Sequence, residues 1–275
     1  MRAILLALLL VGGPAVGKPL RLVASPLLAP VTAAWAKPLS DTRRRTANAL
    51  TAVQALIHGR ADVIAIARPL TPAERRLFTG ALLSLPVGLD AVAVYVHRDV
   101  PLRYLSLGAL ERLFFAANHC HPPAPPLPPL RRFGLAAAAA RHFQFRDRVG
   151  CGAPLAAPVR RLPTNREVIA AVAATAGAIG FASASLTAPA AVRRIALARR
   201  PADRPVWPDR AALRQGRYPL THYLYLHLRP DQPRAVALAR QALSPPGQAS
   251  LARRFMALPE PLRRRALQTL AAAVQ

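Results

Sequence analysis

Short branched apolar runs alternate with capped helical segments along this chain, and that alternation excludes most folds. Residues 62–67 (DVIAIA) form a short apolar run bounded by polar residues, the pattern of a buried strand. Residues 91–97 (AVAVYVH), 177–182 (GAIGFA) and 223–228 (YLYLHL) have the same character, and residues 18–25 and 192–198 supply further strands. Helices fill the gaps. Residues 30–35 and their flanks read as one. Residues 46–58 form another, with Leu50, Val53, Leu56 and Ile57 on one face and Gly59 at its end. Thr71-Pro72-Ala73-Glu74 combines a Thr N-cap, Pro at the first helical position and Glu at the third. Thr164 and Glu167 repeat that capping box before a helix reaching about Ala174. Further helices are expected over 106–115, over the Ala-rich residues 136–147, and over 233–258 with a break at 245–247. The alternation predicts an α/β fold with largely parallel sheets. The 29 prolines argue against a helical bundle, and no internal repeat at a fixed period is visible.

The first residues carry an address. Met1-Arg2 is a short cationic start, and residues 3–11 are unbroken apolar sequence that ends at Gly12-Gly13-Pro14. Ala15-Val16-Gly17 places small residues at a cleavage site, so residues 1–17 read as a signal peptide and Lys18 as the mature N-terminus. The run is too short to span a bilayer. Export predicts a periplasmic protein and argues against a nucleic-acid role, despite a net charge of +26. The arginine runs at 43–45, 193–194, 199–200, 253–254 and 263–265 lack the interleaved aromatics that stack on bases. Their summed field would still draw the chain toward anionic lipid or acidic envelope polymers.

Five segments resemble the phosphate-type periplasmic substrate-binding proteins of ABC transporters. They are GRADVIAIARPLTPAE (59–74), PVGLDAVAVYVHRDVPLRYLSLGALERLF (86–114), LPTNREVIAAVAATAGAIGFAS (162–183), YPLTHYLYLHL (218–228) and LSPPGQA (243–249). Their order and spacing follow the family over about residues 22–254. The resemblance implies a type II fold of two α/β lobes joined by crossing strands, with the ligand between them. The first lobe would comprise residues 18–91 and 222–275, and the second residues 92–221. The crossing strands would be residues 89–97 and 223–228. The family is not enzymatic and uses no cofactor. Its members deliver a small anionic ligand to the membrane subunits of an ABC transporter.

In the family an oxyanion is held by N–H groups at helix N-termini, by Ser and Thr hydroxyls and by an arginine, a set suited to anions. Here the resemblance places Ser25, Thr51, Arg68 and Arg141 at the ligand. The surrounding pattern departs from the family. Pro26 follows Ser25 and removes a donor, Ala67 stands where a Ser precedes Arg68, and Ala139-Ala140-Arg141 replaces a Ser-Gly-Thr turn. Three readings stay open: an anion site built on main-chain donors and arginines, a site for a different small ligand, and a binding-protein scaffold turned to interaction with acidic envelope surfaces.

Cys120 and Cys151 are the only cysteines, and export permits a disulfide between them. His119-Cys120-His121 raises a metal reading, but neighbouring residues of an extended segment point to opposite faces. Asp62 and Asp90 flank strands and are read as structural contacts rather than general acids. No Gly-x-Ser-x-Gly, His-Glu-x-x-His or phosphate-loop sequence occurs.

Overall fold

The structure, a computed structural model, describes residues 18–116, 120–156 and 158–274. The expected signal peptide and His119 lie outside the described residues. In chain order the elements are β1 (Leu20–Ala24), α1 (Ala29–Ala36), β2 (Thr42–Thr46), α2 (Ala49–Ile57), β3 (Val63–Ile66), α3 (Pro72–Arg76), β4 (Leu83–His97), β5 (Tyr104–Ser106) and α4 (Leu107–Phe114). There follow β6 (Arg131–Leu135), α5 (Ala140–Val149), β7 (Arg160–Leu162), α6 (Asn165–Ala173), β8 (Ala178–Ser183), β9 (Val192–Arg194), β10 (Ala196–Ala198) and α7 (Arg210–Arg214). The chain ends with β11 (Thr221–Leu228), α8 (Pro233–Leu243), α9 (Pro245–Ala252) and α10 (Glu260–Ala272). No helix among the described residues is long and apolar enough to cross a membrane.

The sheet runs β2-β1-β3-β11-β4-β8-β6-β7, with β9 also paired to β4. Its outer pairs are parallel, as the alternation predicts. The pairs made by β4 and β11 are antiparallel, which corrects the expectation of a largely parallel sheet at its centre. The reason is connectivity: β4 carries the chain out of one lobe and β11 carries it back. The first half of β4, Leu83 to Ala91, pairs with β11, and the second half, from Val92, pairs with β8 and β9.

Two apolar cores result. One joins β1, β3 and the start of β4 to Leu224, Leu226 and the C-terminal helices. The other joins the rest of β4 to β8, α4, α5 and α6. The handover falls between Val87 and Leu89. In the first core Trp35 is buried, and its Nε1 donates to Gly247 O at 2.9 Å. In the second, Phe145 and Phe181 stack with centroids 3.9 Å apart, and Phe114 meets both edge-on.

Several elements differ from expectation for identifiable reasons. β4 starts at Leu83, ahead of the expected crossing strand, and absorbs Pro86 and Gly88 through a register shift between Leu224 and Tyr225 on β11. Arg43, Arg44 and Arg45 are exposed as expected, yet they form β2 at the sheet edge, so α2 begins only after Asn48. Edge arginines discourage pairing with another chain. Leu50, expected on the buried face of α2, is 52% exposed, and Ala49 and Ala52 take its place. Ala136 is spent on the β6–α5 turn, its N–H donating to Leu162 O at 2.8 Å, so α5 starts at Ala140. The last helical stretch divides at Ser244, which caps α9 by accepting from Gly247 N, and α10 is an additional helix.

Candidate ligand cleft

Four helix N-termini face one cleft of about 250 Å³, those of α1 and α2 from one side and α5 and α6 from the other. At the end of β1, Ser25 N donates to Ala65 O, and Ser25 O accepts from the N–H groups of Leu28 and Ala29, turning the chain into α1. Ser25 is buried and lines the cleft, and its Oγ makes no hydrogen bond. No side chain caps α1 or α5. Asn48 Oδ1 caps α2 by accepting from Thr51 N at 2.9 Å. Thr164 and Glu167 close the α6 capping box, as the sequence predicts.

Arg141, in the first turn of α5, also lines the cleft and is buried. Its Nε and Nη2 both donate to Asp90 Oδ2, and Ser183 Oγ donates to the same oxygen at 2.7 Å. Burial alone would raise the Asp90 pKa, but the charge of Arg141 and the bonds from Arg141 and Ser183 hold it below the usual carboxylate range. Asp90 is therefore charged and neutralises Arg141. His222, opposite Asp90 on β11, is pushed down to about 4 by burial and stays neutral. Asp90 is thus a structural contact at the crossing strands. Asp62 likewise is a structural partner, bonded to the backbone and side chain of Arg21.

Of the four residues that the resemblance places at the ligand, the structure brings Ser25 and Arg141 together and leaves two apart. Arg68 is buried in a two-point pair with Glu74, at 2.7 and 2.6 Å, and does not line the cleft. Glu74, already spent on the capping box, serves both partners. The Thr51 side chain is exposed and also lies outside the cleft lining. Sequence reasoning missed Asn48, Arg166 and Arg254 at the cleft. Asn48 carried a signal, since Asn before an apolar run is a favoured N-cap. Arg254 carried none, for it lies remote in sequence within an ordinary basic pair. Arg166 and Arg254 are exposed and form no ion pair among the described residues, so they supply the cleft's uncompensated positive charge.

Outside the cleft, Cys120 and Cys151 form a disulfide with Cα atoms 6.1 Å apart. The His121 ring lies 3.0 Å from Arg148 O.

The architecture matches known proteins. A phosphate ABC transporter substrate-binding protein of Clostridium perfringens, solved with bound phosphate, superposes with a TM-score of 0.71. The match covers 88% of this chain and all of that one at 14% identity. An ABC-type phosphate transport receptor of Vibrio cholerae gives 0.70, covering 87% and 100% at 14% identity. These establish the fold. In sequence, the phosphate-binding protein PstS of Pseudomonas aeruginosa is 23% identical over 254 residues, 82% of this chain and 78% of that protein. The chain is PstS-like. No family model matches it. The PstS-like character agrees with the two-lobed fold of type II and with the order of the five sequence segments.

Proposed function

We propose that this chain is an exported solute-binding protein that holds a small phosphate-like oxyanion in the cleft between its lobes. On this reading residues 1–17 are removed on export to the periplasm. The lobes are residues 18–91 with 222–275, and residues 92–221. The division of the apolar cores near residue 88 supports that boundary. The observation that carries the proposal is the meeting of helix N-termini around the unpartnered Ser25 Oγ and the buried Arg141. A helix N-terminus offers free N–H groups and about half a positive charge, and an anion seated between two lobes collects both from each side. Because Asp90 already balances Arg141, attraction comes from the main chain and from Arg166 and Arg254.

Ligand contacts with both lobes form together only when the lobes are closed, so the ligand shifts the protein toward that state by its difference in affinity. The closed form would then deliver the anion to the membrane subunits of an ABC transporter, a reading supported by the likeness to a phosphate transport receptor of Vibrio cholerae and a phosphate ABC transporter substrate-binding protein of Clostridium perfringens. The cleft geometry favours binding over the alternative of a non-transport protein at acidic envelope surfaces, because a purely electrostatic role needs no buried donors. Titration calorimetry of the chain from Lys18 with inorganic phosphate, at low and moderate salt, tests this. One-to-one heat that survives moderate salt is the expected result. Heat that is absent, or that salt abolishes, refutes it.

A further inference from the structure

The ligand cleft continues into a second, larger chamber of about 830 Å³. The two share Pro30, Arg166 and Arg254. One wall of the chamber is the side of α1, with Val31 and Ala34. The other is the side of α6, with Ile169 and Ala170. Leu186 adds apolar surface, and the exposed Arg253 joins the two shared arginines. Ser250, also on the wall, has an Oγ shielded from water without a hydrogen bond.

The two volumes suit different parts of one molecule. Pockets for organic ligands usually hold about 300–1,000 Å³. The cleft falls below that range and the chamber within it. The cleft is also poor in hydroxyl donors, since Ser25 and Thr164 carry the only hydroxyls on its lining and only the Ser25 Oγ is buried without a partner. Four phosphate oxygens ask for more donors than three do, and an unsatisfied buried oxygen is costly. Replacing one oxygen by carbon relieves that demand and directs a substituent out of the cleft.

Resting on the oxyanion reading above, we infer that the ligand is an organophosphonate whose anionic head occupies the cleft and whose apolar substituent occupies the chamber between α1 and α6. The arginines shared by both spaces stand at the junction of head and substituent. Moving on the order of 100 Å² of substituent out of water predicts roughly 50-fold tighter binding than for inorganic phosphate.

Calorimetry of the chain from Lys18 with inorganic phosphate, methylphosphonate and phenylphosphonate tests the inference. The expected order places phenylphosphonate tightest. Ala34→Trp and Ala170→Trp, each at an exposed position on an opposite wall, fill the chamber without burying new bulk in a core. Each should cut the ratio of phenylphosphonate to phosphate affinity at least tenfold. Phenylphosphonate binding no tighter than phosphate overturns the inference and leaves the oxyanion reading standing. So does a phenyl preference that survives both variants. Absence of binding by all three anions overturns both.

Discussion

Two buried histidines on the return strand should make this protein lose stability steeply in mild acid. His227 lies on β11 with its Nδ1 2.8 Å from Ser84 Oγ and its Nε2 3.2 Å from Arg68 O. A carbonyl only accepts, so Nε2 carries the proton and Nδ1 accepts from Ser84. Burial pushes the His227 pKa down to about 3, and nearby Arg75 and Arg68 oppose a further charge. His222 is held at about 4 by the same cause. An unfolded histidine titrates near about 6.5. Both folded values lie below that, so the unfolded chain takes up protons first. Stability is complete above about pH 6.5 and drains as pH falls toward the folded values. Between pH 7 and pH 5 each histidine costs about 2 kcal/mol, and the pair about 4 kcal/mol. Asp90, whose pKa is depressed, contributes stability that is lost only below about pH 4. Urea unfolding followed by tryptophan fluorescence at pH 7, 6 and 5 measures the loss, with Trp35 reporting from the core that β11 completes. His227→Gln keeps a donor for Arg68 O and an acceptor for Ser84 while removing the titration. The variant should lose only about 2 kcal/mol over the same interval. Parallel losses in variant and parent would refute the reasoning.

Three further outcomes are expected. Ser25→Ala should weaken phosphate binding roughly tenfold or more, the worth of a hydrogen bond to a charged group, without lowering the melting temperature, since Ser25 Oγ has no partner to lose; calorimetry and thermal melts separate the two. Gly134→Ala should destabilise by about 1–3 kcal/mol, because the added Cβ would lie 2.8 Å from the Phe181 ring, which Phe145 already stacks against; denaturant titration checks it. Reducing the Cys120–Cys151 disulfide, whose cysteines are separated by 31 residues in sequence, should cost roughly 3–4 kcal/mol by loop entropy, read as a lower melting temperature in reductant.

The legible parts of the chain were those whose physics is local. Capping boxes at Thr71 and Thr164 declare themselves within four residues, and β3 shows as a run of branched side chains. β2 was illegible because three exposed arginines carry no apolar pattern, and only the backbone of β1 recruits them into the sheet. The early start of β4 was hidden by Pro86 and Gly88, residues that usually end strands and are accommodated here by irregular pairing with β11. At the cleft, Ser25 follows directly from the end of a strand. Arg68 misled because its partner Glu74 was fully accounted for by a helix cap, and nothing in the sequence reveals that one carboxylate serves two tasks. Arg141 lines the cleft, but its neutralisation by Asp90 depends on a contact across 51 positions.

The first core contains residues from both ends of the chain, among them Leu20 and Leu270. A nascent polypeptide therefore cannot complete that half until its last helices have been made. The intervening core draws almost entirely on residues 89–220 and has its strands and helices in hand much earlier. Assembly from the middle outward, with the termini meeting late, is the order that this connectivity predicts. Such distant pairings slow folding and leave apolar strands uncovered meanwhile. A truncation that removes α10 should be felt at β1, at the far end of the sequence.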